Sequence, residues 1–284
     1  MTRQQQRNSQ RRARRPRAFS YLELLVVLAL IVLLISFLLP SLHRPHDSSN
    51  RMKCASNLRQ IGQALLLYSN DNRGAYPRTR ASLVVKDGPD PVPVWGTGIA
   101  ATQPYEEGGP AENDVTAALF MLLRTQDITS EVFACPSSDT EKDLYGGGTN
   151  APINRSNFTD YKKNLSYSYQ NPYPNSKAIG AGFKLNNAIG AEFAVAADVN
   201  PGTAGRGDNV LGPTSSSSAK DMKQANSRNH DRDGQNILYG DGHVAWESNP
   251  FVGVNRDNIY TTADGQIAAS SVDANDSILL PTDD

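Results

Sequence analysis

The chain has 284 residues, 38% hydrophobic and 20% charged, with 28 basic and 29 acidic residues and a formal charge of −1. Two cysteines are too few for a structural zinc site without help from histidine, and C-x-x-C, H-E-x-x-H, G-x-S-x-G and P-loop patterns do not occur. The first 18 residues, MTRQQQRNSQRRARRPRA, hold seven arginines and no acid. Taking these from the 28 basic residues leaves 21 against 29 acidic, a net of −8 that argues against nucleic-acid binding by the rest of the chain.

FSYLELLVVLALIVLLISFLLP follows, in which Leu24 to Leu39 has only Ser36 as a polar residue. Counted from Phe19 as a helix, the run spans about 31 Å, against a bilayer core of roughly 30 Å. Three readings compete. A secretory signal peptide needs a small-residue cleavage site, and LLPSLHRPH has none. A plain signal anchor, oriented by the arginines with its N-terminus in the cytoplasm, fits length and charge but gives Glu23 no purpose. The third reading is a cleaved leader: a basic stretch, then Ala18, Phe19 and, four residues on, Glu23 ahead of the apolar run.

In those residues the chain resembles the type IV prepilins and type II secretion pseudopilins. The family usually has glycine where Ala18 stands. The resemblance implies cleavage between Ala18 and Phe19 by a prepilin peptidase, N-methylation of Phe19, and assembly with like subunits or other pseudopilins. Glu23 would then pair with a neighbour's terminal amine and set register, a partner for a carboxylate at the bilayer edge. It also implies a single-pass inner-membrane protein in contact with lipid, its C-terminal domain periplasmic or extracellular.

Past Pro40, SLHRPHDSSN predicts a break or kink. NRMKCASNLRQIGQALLLYSNDNRG predicts an amphipathic helix, with Cys54, Leu58, Ile61, Leu65 and Tyr68 as its core stripe. Residues 76–115 are rich in Pro and Gly. NDVTAALFMLLRTQ predicts a short helix capped by Asn113 or Asp114. SYSYQ, AEFAVAADV, QNILY and HVAWE predict strands, the last two a hairpin about Gly-Asp-Gly. From about Thr261 the Asp-, Ala- and Ser-rich composition predicts a disordered tail.

The expected fold is therefore α+β and pilin-like: a long hydrophobic N-terminal helix, kinked after Pro40, packed against an antiparallel β domain. The divisions are a leader (1–18), transmembrane and amphipathic helix (19–72), exported domain (73–255) and acidic tail (256–284). Cys54 and Cys135 are candidates for a disulfide, which an oxidising compartment permits, or for two buried thiols.

The stretch SRNHDRDGQNILYGDGHVAWE gathers His230, Asp231, Asp233, Asp241 and His243. A calcium site or an acid/base pair would use such residues, but the spacing matches no calcium loop. The stretch resembles the His-x9-Asp-Gly element of prepilin-like proteins abundant in planctomycetes, carried here by His230, Asp241 and Gly242. That group also has a KCxxNLRQIGQAL-type helix and a CPS segment, both present. Ten residues rather than nine separate His230 from Asp241. The expectation is a non-enzymatic structural protein with no cofactor and no metal. The alternative is an anchored binding or hydrolytic domain using His230 and Asp241.

Overall fold

The computed structural model describes residues 20–203 and 207–284, with backbone alone for 37–46. Ala18 and Phe19, the predicted processing site, lie outside the described residues. The chain divides into two units, Met1–His46 and Asp47–Asp284, so the boundary falls inside the predicted 19–72 segment.

Helix α1 is assigned over Tyr21–Asp71, its backbone helical through Pro40 and Pro45. In the first unit every large apolar side chain from Tyr21 to Ile35 is exposed, at 42–77%. In the second, Cys54, Leu58, Ile61, Leu65 and Tyr68 are all buried, as the four-and-three spacing predicts. Helix α2 (Val115–Thr125) is buried from Val115 through Leu123, because it is apolar around its whole circumference and has protein on every side.

Five strands form one antiparallel sheet in the order β4-β3-β2-β1-β5. They are β1 (Tyr167–Gln170), β2 (Ala194–Asp198), β3 (Gln235–Tyr239), β4 (Val244–Glu247) and β5 (Leu279–Leu280). The predicted hairpin is present, Gln235 opposite Glu247 and Leu238 opposite Val244, with Gly242 in its turn at φ +88°. Alternation sends Leu238 and Leu280 into a core shared with α1 and α2. Ile237, Tyr239 and Leu279 enter a second core with Val210, Ile259 and Tyr260. A register shift between Ala194 and Ala196 places Val195 and Ala196 both on the helix side. One-turn helices α3 (Tyr161–Asn164), α4 (Ser176–Gly180) and α5 (Ala219–Met222) lie in the connections.

Three expectations need correction. The long hydrophobic helix packed on the sheet is not seen: the α1 residues in the sheet's core, Cys54 to Tyr68, come from the amphipathic stretch. Nor is any helix among the described residues long and apolar enough to cross a membrane, which overturns the transmembrane assignment and the single-pass inner-membrane location. Finally, 256–284 is no disordered tail. Ile278, Leu279 and Leu280 are fully buried, and β5 pairs with β1, so a few apolar residues anchor a segment whose average composition is polar.

Candidate functional site

The structure disperses the predicted C-terminal cluster. Asp233 bonds Lys223 at 2.5 Å and Arg51 at 3.1 Å. The Lys223 bond, with the charge of Lys223 and Arg51, holds its carboxyl below the usual range. Asp231 has left-handed backbone, φ +54°, and ends the turn Arg228–His230. Asp241 and His243 sit together on the exposed hairpin turn, Asp241 Oδ1 to His243 Nδ1 2.5 Å. The His243 backbone N–H, donating to the same oxygen, is the chief cause of a lowered Asp241 pKa. The His243 ring stacks on Tyr239 at 4.5 Å.

His230 is elsewhere. It is buried, 5% exposed, and its ring meets Trp246 edge-on at 5.3 Å. Trp246 pairs with Asn236, so His230 lies near one end of β3 and Asp241 beyond the other. Among the described residues no hydrogen bond joins the two halves of the His-x-Asp-Gly element. Its Gly242 supplies the turn; its His230 serves the interior.

Four separate segments converge on His230. Nε2 lies 3.4 Å from Asp198 Oδ2 at the end of β2, 3.4 Å from Asn236 Nδ2 of β3, and 3.8 Å from Cys135 Sγ. Cys135 follows the turn Ser130–Phe133, and its N–H donates to Ser166 Oγ at 2.8 Å. It forms a disulfide with Cys54 of α1, Cα–Cα 5.4 Å. The ligand-type atoms of Cys54, Cys135, Asp198 and His230 all lie within 4.8 Å of one another, and all four residues are buried.

Asp198 was not singled out from sequence, although an acid ending the apolar run AEFAVAAD was a usable signal, since buried carboxylates need donors. It has them. Oδ1 accepts from Asn229 Nδ2 at 3.0 Å and Oδ2 from the Asn236 N–H at 2.7 Å. Two fully buried phenols flank it. Tyr260 Oη donates to the Asp198 carbonyl at 2.7 Å, and Tyr167 Oη accepts from Asn57 Nδ2 at 3.2 Å. Burial first, and the Asp198 charge second, push both phenols well above the ordinary tyrosine range.

A third centre holds the C-terminal segment. Arg228 bonds Asp208 and, at 2.6 Å, Asp283; Arg232 bonds Asp208 at 2.6 Å. The buried Asp208 carboxylate thus faces two guanidiniums, a charge-assisted arrangement that fixes geometry.

Comparison with family models, curated proteins and solved structures found no match.

Proposed function

We propose that the chain is a non-enzymatic, pilin-like structural subunit, cleaved between Ala18 and Phe19 by a prepilin peptidase and assembled through its N-terminal helix. The observation that carries this reading is the exposure of Tyr21 to Ile35 on every side of α1. A helix apolar all round is stable when something covers it, and contiguous exposed apolar surface of this kind marks an interaction site. Like helices, or those of other pseudopilins, are the covering the reading assigns. Glu23, the acid in the first turn, is then the one carboxylate in an apolar contact, and the neighbour's terminal amine neutralises it. The filament would belong to a type II secretion or pilus-like apparatus. The separation of His230 from Asp241 gives the binding or hydrolytic alternative no shared site to work with.

The test is co-expression of two differently tagged copies in a host that has a prepilin peptidase. Glu23→Val should abolish mutual co-purification and chemical cross-linking, because the neighbour's amine is left buried without a counter-charge. Glu23→Gln, which keeps shape and hydrogen bonding, should show a milder loss. Unchanged co-purification of Glu23→Val overturns the reading.

A further inference from the structure

We propose that Cys54, Cys135, Asp198 and His230 form a redox-gated zinc site, closed while the disulfide is intact and available once it is reduced. The sequence has too few cysteines for zinc unless a histidine joins them; the fold brings in His230 and adds a carboxylate. Zinc prefers four tetrahedral ligands, with Zn–S about 2.3 Å and Zn–N or Zn–O about 2.0–2.2 Å. Such a tetrahedron has S–N and N–O edges of about 3.4–3.6 Å and an S–S edge of about 3.8 Å. His230 Nε2 already stands 3.8 Å from Cys135 Sγ and 3.4 Å from Asp198 Oδ2. The two sulfurs must part, which reduction allows, and the remaining ligand atoms, all within 4.8 Å of one another, must close to these edges.

The surroundings suit a metal. Asn229 and Asn236 donate to both Asp198 oxygens and fix the carboxylate, the role that second-layer partners play at metal sites. Two thiolates and a carboxylate exceed the dication's charge by one, and those amide donors help to disperse the remainder. Sulfur and imidazole select zinc over calcium or magnesium. Four buried protein ligands leave no open position, so the site would be structural rather than catalytic.

The chemistry balances. A phosphine reductant, water and the disulfide give a phosphine oxide and two thiols; in a cell, a dithiol reductant becomes the disulfide instead. Zinc then displaces the two thiol protons. While the sulfurs are bonded to each other neither is a thiolate, so disulfide and metal exclude one another.

The experiment titrates cobalt(II), then zinc(II), into the full chain reduced anaerobically with a phosphine, beside the untreated oxidised protein. Expected for the reduced chain is one equivalent of cobalt with tetrahedral ligand-field bands and thiolate charge-transfer absorption. Zinc should displace it, Trp246 emission should shift, and the thiols should resist alkylation. The oxidised chain should show none of this. His230→Ala removes a direct ligand and should weaken zinc by more than the roughly 10–100-fold typical of outer partners; Asp198→Asn should alter the cobalt spectrum. Octahedral cobalt, equal binding by the oxidised protein, or a reduced chain that unfolds and stays unfolded with zinc by circular dichroism would each overturn the proposal.

Discussion

At the scale of single residues, polar groups buried in the C-terminal third set much of the chemistry. Asp257 is the clearest. Burial pushes its pKa up to about 8, opposed by the Ser277 N–H it accepts and reinforced by Asp276 and Asp273; Asp276 is itself pushed up to about 6, again chiefly by burial. Between the ordinary carboxylate range and about pH 8, the folded chain holds a proton on Asp257 that the unfolded chain has lost. The stability this group contributes is therefore complete below about pH 4 and declines as pH rises toward 8. Asp257→Asn, a neutral mimic of the protonated acid, should stabilise the protein by more than about 1 kcal/mol at pH 8 and very little near pH 4. Denaturant midpoints at the two pH values would read this directly; equal effects at both would contradict the assignment. The interior site around His230 was illegible in the sequence. Cys135 and His230 are 95 positions apart, and Asp198 comes from another strand, so no local spacing joins them. The motif around His230 and Asp241 instead drew together residues that the fold separates.

At the scale of elements, Asp114 organises a whole corner. It caps α2 by accepting from Ala117 N and Thr116 Oγ1 on Oδ1, and its Oδ2 accepts from Thr97 N, Thr97 Oγ1 and Asn157 Nδ2. Cap loss alone costs about 0.5–2 kcal/mol, and each buried donor left unpaired roughly 1–3 more. Asp114→Ala should therefore destabilise by roughly 3 kcal/mol or more, with Asp114→Asn clearly milder; a loss no larger than an ordinary surface cap would show that water replaces the carboxylate there. The cap was legible because Asp before an apolar run has a local mechanism. The amphipathic stripe and the Gly-Asp-Gly hairpin were legible for the same reason, each being a periodicity or turn set within a few residues. β5 was not. Two leucines between Ser-Ile and Pro-Thr carry too little pattern to announce a strand, and only β1, more than a hundred residues earlier, makes them one.

At the scale of the molecule, the Cys54–Cys135 disulfide ties α1 to the segment after the Ser130–Phe133 turn across 81 positions. Replacing both cysteines by alanine should lower stability by about 2–4 kcal/mol, measured against wild type under non-reducing conditions. The sheet, α2 and the buried half of α1 should keep their secondary structure by circular dichroism, since the core residues Leu58, Ile61 and Leu65 remain. No change in stability would mean that the unfolded chain gains little freedom when the link is cut. The apolar N-terminal half of α1 illustrates the reach of composition. Hydropathy flags such a segment equally well whether lipid or other helices cover it.

The strand order has a consequence for synthesis. β1 stands between β2 and β5, so one of its edges stays unpaired until residue 280 has left the ribosome, more than a hundred residues after β1 itself. Contacts spanning so much chain form slowly because the loop must close before they contribute. A nascent chain of this protein therefore carries an open sheet edge, with Ser168 lacking the Pro281 carbonyl its hydroxyl later binds, for as long as the residues between β1 and β5 are being made. An open edge invites pairing with other chains. A chain stopped near residue 255 would never leave that condition.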